Sequence, residues 1–354
     1  MKKRILSFVV VIVVILIGFT LYNKPKNEGV IKIGAMYALS GPSAIFGEVS
    51  AHGVKDAVKY FEEKTGTKVD LVLEDSANDP KVAVSAATKM FEIDKIKFMV
   101  TGMSGVTNAV APLAEKAGAV LITDAAGYGL TKDKEYLFQG LLPSLNDVPE
   151  QLNNKGEWQK VALLLINDEF SNLWEANWRK DISSDKEIKT FKFEKNMTDF
   201  KTDALKIKTF NPDVIVVIGY GPAVSQALAD LAVQGVVASK LTYLACTFPG
   251  IVGDKRYDLN GTYSYEYPNY QNTEIKNWIS KNGGSDSTFY GLAFENTLTA
   301  LNTAKTTNND PEKALTYLKS TKNTGLYGDV IFDQNNVVER DLVLTRIEGS
   351  KCVR

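Results

Sequence analysis

With 354 residues the chain is too long for one ordinary domain and long enough for two. Its 41 basic and 42 acidic side chains leave a net charge of −1, and no basic stripe is interleaved with aromatics, so nucleic acid is not an expected partner. A single histidine, His52, and two cysteines, Cys246 and Cys352, are too few for an ordinary zinc site, and no cofactor is expected.

In chain order, Lys2, Lys3 and Arg4 precede an uncharged stretch from Ile5 to Leu21, and Lys24, Pro25 and Lys26 follow it. A bilayer-crossing helix needs about 20 apolar residues, whereas a secretory signal has a shorter apolar region and a small-residue cleavage site. The run Gly18-Phe19-Thr20-Leu21 is a poor cleavage site, and no nearby cysteine offers a lipid attachment point. Residues 1–29 therefore read as a membrane anchor or signal segment, the uncleaved anchor being favoured. Either places the body outside the cytoplasm.

Residues 30–36 read as a strand, and 44–63 as a helix with Val54, Ala57, Val58 and Phe61 at helical spacing. A strand at 68–74 follows, then Asp79-Pro80 supplies a cap and a first-turn proline for a helix through Phe91. Apolar strands at 96–101 and 119–123 flank a helix at 107–116. A second series begins with the unbroken apolar runs 161–166 and 214–218, as expected of parallel strands covered on both faces. Helices at 172–180, 200–209 and 223–234 accompany them. Near Asn260 the rhythm changes to an extended connector with Tyr263, Tyr265 and Tyr267 on one face. Helices at 273–282, 287–305 and 311–319 and strands at 329–332 and 341–347 complete the chain. The alternation predicts an α/β fold with doubly wound parallel sheets, and its length predicts two of them. Cys352 lies close to the chain end, where pairing frays, which weighs against a bridge to Cys246.

Catalytic motifs fail on specific residues. Gly219-Tyr220-Gly221 opens a helix as a dinucleotide fingerprint would, but Val224 stands where the third glycine is needed. Gly102-Met103-Ser104-Gly105-Val106 lacks the second glycine of a nucleophile elbow, and His52 precedes it in the chain. Asp75, Asn78 and Asp79 lack the alternating ligands of a calcium loop and read as turn and cap chemistry. What remains is a set of small-residue turns after strands, at 40–42, 102–105, 125–127 and 219–221. Open α/β sheets bind ligands at those edges, and helix N-termini there suit an anion.

Ile31-Lys32-Ile33-Gly34, Leu39-Ser40-Gly41-Pro42, Phe46-Gly47-Glu48, Ser104-Gly105-Val106-Thr107, Thr198-Asp199-Phe200, Gly219-Tyr220-Gly221-Pro222 and Tyr327-Gly328 together resemble the leucine/isoleucine/valine-binding family of ABC-transporter solute receptors. The resemblance spans roughly the whole body, from about residue 30 to about residue 350. It implies a type I periplasmic binding protein fold, two doubly wound lobes joined by three crossing strands that hinge shut on a ligand. The lobes would comprise 30–143 with 268–326, and 144–267 with 327–354, with crossings near 143–144, 265–268 and 325–328.

The same resemblance implies a ligand site. Phe46 would form an aromatic side wall, and the Ser104 hydroxyl would hold a ligand carboxylate together with backbone N–H groups. Ala125 and Ala126 would contact the ligand through their backbone. Phe170 takes the place of the usual tyrosine of the second lobe, and Tyr220 supplies another aromatic. Gly127 stands where amino-acid binders carry Ser or Thr, and near Thr247 the acid that pairs with a ligand ammonium is missing; Asp124 or Asp168 could replace it. An unpaired ammonium in a closed cleft is costly, so small carboxylates and amides join branched-chain amino acids as expected ligands. The implied protein is a monomeric, non-enzymatic receptor of an ABC permease. A membrane-tethered sensory domain is the alternative, because fold does not fix function.

Overall fold

The apolar runs read from the sequence become the inner strands of two sheets. In the computed structural model, which describes residues 29–353 apart from Asn146, Lys155, Pro249 and Ser350, the first sheet contains β1 (Ile31–Tyr37), β2 (Val69–Asp75), β3 (Phe98–Thr101), β4 (Val120–Thr123) and β5 (Leu137–Ser144). Their order across the sheet is β2-β1-β3-β4-β5, every pair parallel. The anchor or signal expected at 1–29 lies outside the described residues, Gly29 excepted. Among those described, no helix is long and apolar enough to cross a membrane.

The second sheet is built from β6 (Lys160–Ile166), β7 (Glu187–Phe193), β8 (Val214–Ile218), β9 (Ser239–Tyr243) and β10 (Tyr263–Glu266), in the order β7-β6-β8-β9-β10 and again parallel. A short hairpin, β11 (Asn323–Gly325) with β12 (Gly328–Val330), precedes three closing strands: β13 (Val337–Asp341), β14 (Val343–Glu348) and β15 (Lys351–Val353). β14 and β15 extend the second sheet antiparallel beyond β10.

Helices cover both faces of each sheet. α1 (Ala44–Thr65) packs along the first sheet, and α2 (Pro80–Glu92) and α3 (Ser104–Ala117) cover its other face through Ala83, Ala87, Met90, Val106 and Val110. The second lobe carries α4 (Asp147–Asn154), α5 (Glu169–Asp181), α6 (Lys201–Phe210) and α7 (Pro222–Val233), with Trp174 and Trp178 of α5 among its largest enclosed side chains. The chain then returns to the first lobe with α8 (Thr273–Lys281), α9 (Thr288–Thr306) and α10 (Pro311–Ser320). α9 lies so close to α1 that a Cβ on Gly53 would meet the Tyr290 carbonyl oxygen at 2.3 Å, and only glycine permits that approach.

Two expectations are corrected. The third passage between the lobes is not near 325–328, because β13 still belongs to the first sheet, pairing in parallel with β5, and the chain crosses at Leu342. The turn residues around Gly328 belong to the short hairpin instead. Cys246 and Cys352 do form a disulfide, with Cα atoms 6.2 Å apart. The chain end is not frayed there, since Cys352 pairs with Ile347 across β14 and β15.

Candidate functional site

The carboxyl ends of both parallel sheets converge on a cavity of about 520 Å³ between the lobes. The first lobe contributes Tyr37 at the end of β1, Met103 and Ser104 after β3, and Asp124, Ala125 and Ala126 after β4. The second contributes Asp168 and Phe170 after β6, Lys195 after β7, Tyr220 after β8, and Tyr243 and Leu244 at the end of β9. Phe248, Phe289 and Leu292 close the apolar side. Met103 and Leu244 both adopt positive φ, 63° and 55°. Side chains disfavour that region, so the surrounding fold holds these two strand-end residues in place, as happens at ligand sites.

Ser104 opens α3 at the edge of the cavity. Its residue is 4% exposed, and its buried Oγ has no hydrogen-bond partner among the described residues. The first-turn N–H groups of a helix have no carbonyl of their own to bond, so an anion here meets an unused hydroxyl and a helix N-terminus together. The Thr107 N–H is excluded from this set, because it donates to the Met103 carbonyl. Gly127 lies behind Ser104 and outside the lining: a Cβ there would sit 2.7 Å from Ser104 Oγ and 2.9 Å from Leu173 Cδ1. That crowding explains why neither Ser nor Thr stands at Gly127.

Ala125 and Ala126 line the cavity, but both carbonyls are engaged. Gln139 Nε2 donates to the Ala125 oxygen at 2.5 Å, and Trp174 Nε1 donates to the Ala126 oxygen at 2.8 Å. The Ala125 N–H donates to Thr123 Oγ1. Phe170 and Tyr220 stand in the wall as read from the sequence. Phe46 does not reach it. Its ring lies behind the wall, 5.1 Å from Phe248, 5.1 Å from Phe289 and 5.8 Å from Tyr220, centroid to centroid.

Thr247 also lies elsewhere. With Phe46, Glu266 and the disulfide it borders a second cavity, of about 680 Å³, on the far side of that aromatic cluster. Thr247 Oγ1 donates to Glu266 Oε2 at 2.7 Å, and the Cys246 N–H and Ser264 hydroxyl donate to Oε1. Glu266 is thus engaged within the protein, and Thr345 Oγ1 of this second cavity, like Ser104 Oγ of the first, has no hydrogen-bond partner among the described residues. Its position at the strand ends of both sheets makes the first cavity the candidate site.

Three carboxyl-bearing residues of the second lobe, Asp168, Glu169 and Glu194, and one of the first, Asp124, line that cavity. Asp168 caps α5 through the Ser171 N–H and accepts the Tyr220 hydroxyl at 2.8 Å. Burial raises its pKa, and those hydrogen bonds oppose the rise. Asp124 accepts from Tyr37 Oη at 3.1 Å, and burial pushes its carboxyl up to about 7. The same burial, with the Asp124 charge beside it, raises the Tyr37 phenol well above its ordinary range. Tyr37, Tyr243, Phe248 and Phe289 were not identified from the sequence. Tyr37 and Tyr243 end strands, so the strand-edge rule carried a signal for them; Phe248 and Phe289 are brought in by tertiary contact alone.

The lobes touch across the cavity mouth. Besides Trp174 on Ala126, Lys195 Nζ donates to the Asn78 carbonyl at 3.2 Å and Asn108 Nδ2 to Glu169 Oε1 at 3.4 Å. Two α/β lobes with an interlobe cavity at their strand ends are the architecture of hinged binding proteins. The profile of the periplasmic binding protein family matches residues 30–351, and the chain belongs to that family. A Leu/Ile/Val-binding protein of Rhizobium johnstonii is 28% identical over 237 residues, spanning 60% of this chain and 62% of that relative, under two thirds of its length. The crystal structure of a leucine-binding protein from Thermotoga maritima superimposes with a TM-score of 0.80 at 17% identity, covering 91% of this chain and 97% of that one. A solute-binding protein of an ABC transporter from Rhodopseudomonas palustris, in complex with 4-hydroxybenzoate, gives a TM-score of 0.79 at 20% identity, covering 92% and 95%. The resemblance read from the sequence is borne out, and so is the type I fold of two doubly wound lobes.

Proposed function

We propose that the protein is an extracytoplasmic receptor that captures a small solute between its lobes and delivers it to the permease of an ABC importer. The observation that carries this reading is the cavity itself: both lobes build it, so filling it favours the closed arrangement over the open one. At about 520 Å³ it suits a solute of amino-acid or aromatic-acid size. The polar end of such a solute lies at Ser104 and the first turn of α3, and its apolar body lies among Phe170, Tyr220, Phe248 and Phe289. The names of the relatives, which concern leucine, isoleucine and valine in one case and 4-hydroxybenzoate in another, support a small carboxylate in this role. The Cys246–Cys352 disulfide supports an oxidising compartment outside the cytoplasm.

Thermal shift of the purified protein against branched-chain amino acids, aromatic and aliphatic carboxylates and amides tests the reading. A ligand at about 100 times its dissociation constant stabilises by about 2.7 kcal/mol, a readily visible shift. The expected result is stabilisation by at least one carboxylate, lost when Phe170 is replaced by Ala. Stabilisation that survives Phe170→Ala unchanged would place the ligand outside this cavity.

A further inference from the structure

Asp124 and Asp168, the two aspartates at the cavity, differ in what surrounds them. Asp168 is held by a backbone N–H, by the Tyr220 hydroxyl and by the field of Lys195. Asp124 receives one side-chain hydrogen bond, from Tyr37, and no cation contributes to its electrostatic surroundings. It is tightly placed as well: its Oδ1 lies where a Cβ on Gly102 would fall, at 2.3 Å, so a side chain at Gly102 would displace it. The carboxyl therefore stands on the ligand side of the first lobe, at the end of β4, with one wall of the cavity around it. A carboxylate enclosed in this way is costly unless a positive charge answers it.

We infer that Asp124 is the counter-ion of a protonated nitrogen on the ligand, and that it makes the receptor select amine-bearing solutes over their deaminated counterparts. The inference rests on the proposed role of this cavity as the solute site. The acid sought near Thr247 is not needed, because the first lobe supplies one from the strand end next to the anion-binding Ser104. Asp124 abuts Gly102 and Ser104 lies two residues further along the same strand-end segment, so a ligand bearing both charges on neighbouring atoms meets its two partners on one wall. Tyr37 donates its hydroxyl to the same carboxyl, and the Asp124 charge acts on the Tyr267 phenol, so both tyrosines stand near a cation seated there. With its nitrogen paired to Asp124, an amino acid carries no unanswered charge into the closed cleft.

The test uses matched pairs that differ by the amine: leucine with 4-methylpentanoate, and phenylalanine with 3-phenylpropanoate. Calorimetry at pH 8 on the wild type is expected to favour the amine of a pair by at least tenfold. Asp124→Asn is expected to abolish that preference, weakening the amine at least tenfold while leaving the deaminated partner unchanged or tighter. A second readout needs no variant. Amine affinity of the wild type should fall as pH drops from 8 to 6 and Asp124 takes up a proton, with Tyr37 and Tyr267 beside it and Asp168, Glu169, Glu194 and Lys195 across the cavity. The fall should be absent in Asp124→Asn, which removes the titrations of the other groups from the comparison. Binding of the deaminated acids alone, or an amine affinity that rises on acidification, would overturn the inference while leaving the cavity as the solute site. Absence of binding by all four probes would overturn both.

Discussion

Trp174 of the second lobe donates its indole N–H to the carbonyl of Ala126 in the first, 2.8 Å across the cleft. The indole is otherwise enclosed, packed on Phe170, Trp178 and Tyr128. One bond thus joins a rigid aromatic stack to the strand end beside Ser104 and Asp124, and it exists only when the lobes are together. Trp174→Phe keeps an aromatic ring and removes the donor. Loss of about 1 kcal/mol from the closed form is expected, read as ligand dissociation roughly fivefold faster in stopped-flow fluorescence. Dissociation at the wild-type rate would show that the bond does not hold the lobes.

Ser104→Ala removes the one unpaired hydroxyl of the anion end. Binding of a carboxylate solute should weaken by about 1–3 kcal/mol, while the melting temperature without ligand stays near that of the wild type. Gly127→Ser tests the same corner from behind. Its Cβ would crowd Ser104 Oγ, so this change should lower both stability and affinity, and the double variant Gly127→Ser with Ser104→Ala should recover part of the stability.

The titration of Asp124 makes the ligand-free protein sensitive to pH. Its folded pKa, near 7, lies above the unfolded value of about 3.9, so the folded state holds the proton more tightly. The stability gained from this is fully present below about pH 4 and is lost as pH rises through about 7. Asp124→Asn lacks this term. Its stability relative to the wild type should therefore grow by about 1–3 kcal/mol between pH 5 and pH 8, allowing for water in the cavity. Parallel pH profiles of the two proteins in urea unfolding would count against a raised pKa at this site.

The disulfide closes a loop across a sequence separation of 106 residues and pins the last strand to the segment after β9. Opening it with Cys352→Ser should cost about 2–4 kcal/mol, seen as a melting temperature lower by several degrees. Ligand affinity should change little, since neither cysteine lines the cavity near Ser104 and Asp124.

Much of the scaffold was legible in the residues. Apolar runs such as 161–166 and 214–218 have the length and β-branched content of strands covered on both sides, and Asp79-Pro80 favours a helix start because a side-chain cap and a fixed φ are local properties. The strand-end turns at 102–105 and 125–127 pointed to the cavity for the same reason: the carboxyl edge of a parallel sheet follows from the alternation of elements. The family resemblance, rather than local pattern, pointed to Ser104, Phe170 and Tyr220, and all three stand in the wall.

Tertiary structure decided the rest. Strands β5, β7 and β9 carry no long apolar run, because Gln139 and Gly140 interrupt β5, β7 alternates and β9 is short and mixed, and only pairing with neighbours defines them. Whether Phe46 touches the solute, or Thr247 faces it, depends on how α1 and the segment after β9 pack, and both turned away from it. The pairing of Cys352 required knowing that its strand docks on β14. Above all, the sequence offered Asp124 and Asp168 as equal candidates for the missing acid. Their difference is one of partners: both carboxyls are pushed up by burial, but the fold gives Asp168 a backbone N–H, the Tyr220 hydroxyl and the field of Lys195, and gives Asp124 the Tyr37 hydroxyl without a cation.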